Sequence, residues 1–161
     1  MRTIKRNGST FLLNRSSFDF SIMLSSSKVL TLNLATYELT PLTIYWGDGL
    51  FNTYTIVGYQ TFTHTYTALG TYNIVIEGNV ALVRTFSLPQ LGVGSLGRKF
   101  FKMSRLKSLL IGNSNKINAG YEYVRSTELE EFDITNNGSN VDIGAIVNYS
   151  QANFKKLLMP L

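Results

Sequence analysis

From about residue 18 to about residue 78 apolar and polar side chains take turns, and this period of two constrains the fold more than any other feature of the chain. Alternation of this kind places one set of side chains on each face of an extended strand. In FDFSIML, Phe18, Phe20, Ile22 and Leu24 share one face, while Asp19 and Ser21 take the other. VLTLNLA sends Leu30, Leu32 and Leu34 inward, and LTIYW does the same with Leu42, Ile44 and Trp46. TFTHTYT sets Phe62, His64 and Tyr66 against four threonines, and TYNIVIEG sets Tyr72, Ile74 and Ile76 against Asn73 and Glu77. SSS, ELTP, GDG, ALG and EGN carry turn residues and separate these runs. Five or more short, half-buried strands at this spacing predict an antiparallel sandwich.

A longer period takes over in the second half. Leu106-x-x-Leu109-x-Ile111 returns 23 residues later as Leu129-x-x-Phe132-x-Ile134, and 25 residues after that as Phe154-x-x-Leu157-x-Met159. The stretches between also match, with Ile117 over Val141 and Gly120 over Gly144. An L-x-x-L-x-L unit buries its apolar side only by stacking on its neighbour, so this half predicts a solenoid. LPQLGV, with Leu88, Leu91 and Val93, reads as a degenerate first unit. The expected organisation is an N-terminal arm and sandwich over residues 1–82, then a short leucine-rich-repeat-like solenoid over residues 83–161. The glycines of LGVGSLG would form a flexible connection between them. The fold class is mostly β.

Composition removes several kinds of chemistry. The chain has no cysteine, which excludes disulfides, zinc thiolate sites and cysteine nucleophiles. No segment reaches the roughly 18 apolar residues of a membrane span, so none is expected. FLL, near the N-terminus, is too short for the apolar part of a signal peptide, so synthesis in the cytoplasm without a secretory leader is the expectation. Charged residues make up 16% of the chain, against about 25% in ordinary soluble domains. A surface this poor in charge is expected to be partly covered by a partner.

The run IYWGDG, continued by THTYTALGTYNIVIEG, resembles the PKD (polycystic kidney disease) domain family. The matching residues are Trp46, Gly47, Asp48, Gly49, His64, Tyr66, Gly70 and Tyr72. The chain departs from the family pattern in placing Trp46 directly against Gly47, and the segment before it is short. The resemblance covers roughly residues 17–80 and implies an immunoglobulin-like β-sandwich used for adhesion or spacing. A PKD-like module followed by leucine-rich repeats is similar to BspA-type bacterial surface proteins, and to virion proteins that borrow such modules.

Asp48 between two glycines reads as a turn residue: the glycines permit positive φ, and a short carboxylate accepts hydrogen bonds from turn amides. A single carboxylate falls far short of the 6–8 oxygen ligands that Ca²⁺ takes, so no metal site is expected. His64 is the only histidine, and its inward register makes it a core-edge residue rather than a general base. No nucleophile elbow accompanies it, so no catalytic residue and no cofactor are expected. Glu128, Glu130, Glu131 and Asp133 read as a solvated acidic rim, with a divalent-cation site as the alternative by ligand type alone, and GVGSLG satisfies the bare G-x-G-x-x-G pattern without any βαβ unit around it.

Between Gly78 and Tyr121 there is no acidic residue, while Arg84, Arg98, Lys99, Lys102, Arg105, Lys107 and Lys116 fall within that window. GRKFFKMSRLKSLL interleaves these cations with Phe100, Phe101, Met103 and Leu106 at spacings that suit a short amphipathic helix. The expected role of this patch is to meet the acidic 122–142 stretch of a neighbouring copy, with phosphates of nucleic acid or lipid as the alternative. The expected assembly surface combines Arg98, Lys99, Phe100, Phe101 and Lys102 with Leu157, Met159 and Leu161, whose apolar strand FKKLLMPL has no polar capping unit. The functional expectation is a non-enzymatic structural or adhesive subunit of a larger assembly, in the setting of a bacteriophage virion. Its partners would be further copies or virion neighbours. The alternative is a bacterial surface adhesin binding a glycan through Tyr45, Tyr54, Tyr59, Tyr121 and Tyr123.

Overall fold

The alternating first half folds as a series of strands whose buried apolar rows face one core. The computed structural model describes residues 2–6, 9–13, 16–89, 93–96, 106–111, 130–133 and 156–158, and no α-helix occurs among them. The protein is mostly β. Strands β1 (Arg2–Arg6) and β2 (Ser9–Leu13) form a separate antiparallel hairpin. The others, β3 (Ser16–Leu24), β4 (Val29–Tyr45), β5 (Phe51–Thr65), β6 (Gly70–Gly78), β7 (Val83–Leu88), β8 (Val93–Leu96), β9 (Ser108–Ile111), β10 (Glu131–Asp133) and β11 (Lys156–Leu158), belong to one curled sheet. A 3₁₀ turn, Val80–Leu82, leads into β7.

The curl originates in β4. One border of β4 pairs with β5 along nearly its whole length. Its other border is divided: Asn33 to Thr36 pair with β7, and Leu42 to Tyr45 pair with β6. The sheet thus runs β11-β10-β9-β7 from one half of β4, and β6-β3-β8 from the other. The core lies inside the curl, where Phe20 of β3 meets Phe86 of β7 edge to face at 5.4 Å. Leu30, Leu32, Leu34, Leu42, Ile44, Trp46, Ile74 and Ile76 are all buried there.

ELTP does not end a strand. Between the pairs Thr36–Gly58 and Thr40–Ile56, β4 uses four residue steps where β5 uses two, so the surplus forms a bulge inside a continuous strand. Two buried hydroxyls satisfy carbonyls there: Thr36 Oγ1 donates to Ile56 O at 3.1 Å, and Thr40 Oγ1 donates to Glu38 O at 2.7 Å. Pro41 falls in the gap between the last β7 partner and the first β6 partner, a place where a missing N–H does little harm.

The long-period half contributes parallel strands in register. Phe86, Leu109, Phe132 and Leu157 are successive partners across β7, β9, β10 and β11. The unit that precedes Leu106-x-x-Leu109-x-Ile111 is therefore Val83-x-x-Phe86-x-Leu88, at the same interval of 23 residues, and not LPQLGV. Val93–Leu96, expected in a flexible connection, is instead strand β8, antiparallel to β3, where Leu24 pairs with Val93 and Ile22 with Leu96. The sheet crosses the 82/83 boundary through β4 and β7.

Candidate functional site

The β4–β5 hairpin closes over Trp46, Gly47, Asp48, Gly49 and Leu50, and the chemistry-bearing residues of the first half gather around this turn. The Trp46 amide donates to Leu50 O at 3.0 Å, and the Leu50 amide donates to Asp48 Oδ1 at 3.1 Å, an arrangement in which the carboxylate stands in for a backbone carbonyl. The other carboxylate oxygen, Oδ2, lies 2.7 Å from His64 Nε2. An ionised carboxylate only accepts, so Nε2 carries the proton in this pair.

His64 lies in the strand that returns from the turn, opposite Leu30 of β4. Its ring stacks on Trp46 with centroids 4.8 Å apart and planes 3° from parallel, and meets Tyr66 edge-on at 4.5 Å. The His64 side chain is 10% exposed, and that of Asp48 is 15%. Asp48 is exposed as a whole residue, while its side chain is largely covered.

Three more hydrogen bonds fix the aromatic residues. Trp46 Nε1 donates to Asn52 Oδ1 at 2.8 Å, the Tyr66 hydroxyl donates to Trp46 O at 2.8 Å, and the Tyr72 hydroxyl donates to Ala68 O at 2.8 Å. Tyr66 and Tyr72 lie 4.0 Å apart. Burial raises the Tyr66 hydroxyl well above the ordinary tyrosine range, and the Asp48 charge and Tyr72 reinforce the shift. This phenol stays protonated and serves as a donor.

Gly47 has φ +85°, and a Cβ built there would lie 2.5 Å from Asn73 O and 2.8 Å from Asn73 N. The turn is thus seated directly on the backbone of β6, a contact that alternation in the sequence does not reveal. Gly49, at φ +91°, has open space where its Cβ would be.

For Asp48, partial burial works to raise the carboxyl pKa. The His64 hydrogen bond, the Leu50 amide, the His64 charge and its own amide outweigh that and hold it below the ordinary 3.8. A depressed carboxylate contributes stability that is fully present above the unfolded value, near 3.8, and is lost as pH falls through the lower folded value. Asp48→Asn is expected to lower the melting temperature near neutral pH. The gap to wild type should close as pH drops below 3.8, and a gap independent of pH would show that ionisation of Asp48 plays no part.

An aspartate bonded to a histidine forms two members of a hydrolytic triad. Among the described residues no hydroxyl is hydrogen-bonded to His64, and its ring packs against Trp46 and Tyr66. Both Asp48 oxygens have partners, and no group of three or more acidic or histidine side chains lies close enough to hold a metal among the described residues. The arrangement does what a locked turn does: it fixes the hairpin end to the core.

The remaining candidates are scattered. Tyr45 is half exposed and packs on Phe51 at 5.5 Å, whereas Tyr54 turns toward the core against Phe62 at 4.5 Å. Tyr59 pairs with Ala35, eight residues along β5 from the Tyr45–Phe51 pair, or up to about 26 Å at 3.3 Å per residue. Tyr45, Tyr54 and Tyr59 therefore make no common platform, and Tyr121 and Tyr123 lie outside the described residues. So do Arg98, Lys99, Phe100, Phe101, Lys102, Met159 and Leu161; Leu157 is in β11. Within the stack, Lys107 Nζ lies 3.3 Å from Glu130 Oε1, and Ser108 Oγ donates to Glu131 Oε2 at 2.8 Å. Part of the basic window therefore meets the acidic rim inside one chain, between adjacent units. Among the described residues no helix is long and apolar enough to cross a membrane. No family model matches the chain, and neither a curated protein nor a solved structure matches it.

Proposed function

We propose that this protein is a non-enzymatic structural and adhesive subunit of a larger assembly, a bacteriophage virion component. In this reading it is a PKD-type, immunoglobulin-like sandwich carrying a short leucine-rich solenoid. The observation that carries the proposal is the parallel stack β7-β9-β10-β11. It repeats one apolar position in register, and β11 has no further strand beside it among the described residues. A stack that ends on an apolar unit gains by adding the strand of a neighbour. The Asp48–His64 turn supports a non-catalytic role, because both Asp48 oxygens and His64 Nε2 are engaged in holding the hairpin. The Tyr72 hydroxyl on Ala68 O is a bond of the tyrosine-corner kind found in immunoglobulin-like sandwiches, which supports the fold assignment. The alternative, a bacterial surface adhesin, is favoured by the exposed Tyr45–Phe51 pair alone.

Deleting residues 154–161 tests the reading. Loss of a buried leucine-sized side chain forfeits about 1.5–3 kcal/mol, so the deletion, or Leu157→Asp, is expected to abolish incorporation into particles. Circular dichroism of the sandwich strands should persist. Incorporation at wild-type level by either variant would overturn the role assigned to this end of the stack.

A further inference from the structure

Strand β5 runs for 15 residues along a border of the sheet, and its only partner among the described residues is β4. Border strands are usually kept from pairing with other chains by charges, proline or brevity. FNTYTIVGYQTFTHT has none of these protections: it contains no Asp, Glu, Lys, Arg or Pro. On the face turned away from the core its first half presents Phe51, Thr53, Thr55 and Val57, all exposed, with Phe51 at 60% and Val57 at 55%. This row has the same character read in either direction from Tyr54: an apolar side chain three residues away and a threonine at one.

We propose that two copies of the chain pair antiparallel through β5 about a two-fold axis at Tyr54. Each Phe51 then faces Val57 of the partner subunit, and each Thr53 faces Thr55 of the partner subunit. Two-fold pairing sets a strand against itself, so any charge in the row would meet a like charge nearby; a neutral row avoids that repulsion. Aromatic–β-branched and Thr–Thr pairs are both favourable across strands. A Thr–Thr pair already exists on this face inside the chain, where Thr43 Oγ1 lies 3.1 Å from Thr53 Oγ1, and Phe51 already packs across strands on an aromatic ring, that of Tyr45. The second copy extends this face by another hairpin and covers two of its most exposed apolar side chains. The other borders, β8 and β11, are four and three residues long and offer far less backbone to pair. This pairing is independent of the particle the chain serves and of the β11 edge.

Sedimentation of the full chain over a concentration series is expected to show a monomer–dimer equilibrium. T53K/T55K sets Lys opposite Lys at two places and is expected to weaken the dimer about tenfold or more. T53K/T55E sets Lys opposite Glu at the same two places and is expected to restore it. The two variants lose the same threonines, so that loss affects both alike, and equal melting temperatures of the two at a concentration where both are monomeric show that the charge pattern within each chain is not what separates them. Deleting residues 154–161 should leave the dimer intact, which separates this proposal from the assembly reading. A chain that stays monomeric up to about 1 mM, a dimer indifferent to T53K/T55K, or no recovery in T53K/T55E would each overturn it.

Discussion

Trp46→Ala is expected to cost about 3–5 kcal/mol, read as a shift of the urea midpoint of the full chain. Trp46 is fully buried at the end of β4 and is the largest side chain in the core. Its removal opens a cavity, takes away the surface on which His64 stacks, and leaves Asn52 Oδ1 without its indole donor. His64 and Asp48 then lose the platform that orients them, so the turn and the core fail together. Trp46→Phe keeps a stacked ring and exposes only the Asn52 acceptor, which water can satisfy, so a loss of about 1–2 kcal/mol is expected there. Equal losses in the two variants would show that the indole N–H, rather than ring volume, holds the hairpin.

Gly47→Ala is expected to be nearly as severe and Gly49→Ala mild, although the two glycines flank the same aspartate. Both have positive φ, which costs a side-chain-bearing residue about 1–2 kcal/mol. At Gly49 nothing further is lost, because the new methyl group points into open space. At Gly47 the methyl group would overlap the backbone of Asn73, and a strand backbone cannot rotate out of the way as a side chain can. The turn must lift off β6, and the total expected loss is about 2–4 kcal/mol. Melting temperatures of the two alanine variants check the order, and comparable values would mean that the turn does not rest on β6.

Alternation shows which side chains are buried, but it does not show where strands stop. Leu30, Leu32, Leu34, Leu42, Ile44 and Trp46 were legible as inward residues because they alternate with polar neighbours in two short runs, and all six are buried. The join between them was not, because Pro41 and its neighbours look like a turn; what keeps the strand going is pairing with β5, a long-range contact with no local signal. Likewise the three L-x-x-L-x-L matches placed β9, β10 and β11, whereas the unit at Val83 was hidden by the turn residues that follow it in LPQLGV. The N-terminal hairpin had a readable signal in the Asn-Gly dipeptide between its strands, the strongest short hairpin indicator. At the candidate site the residues were visible, but the direct Asp48–His64 bond was not. Sixteen positions separate them, and only the folding back of β5 closes that distance.

The bulge in β4 behaves like a reading frame. Its surplus over β5 is an even number of residues, so Thr40, Leu42, Ile44 and Trp46 keep the inward phase set by Leu30, Leu32 and Leu34. Length changes at Tyr37, Glu38 and Leu39 are therefore tolerable in pairs. A single inserted or deleted residue would invert everything downstream in the strand, turning Trp46 outward and Tyr45 inward. Unless a further bulge absorbs the odd residue, length changes at that point are expected to keep the inward phase only in steps of two.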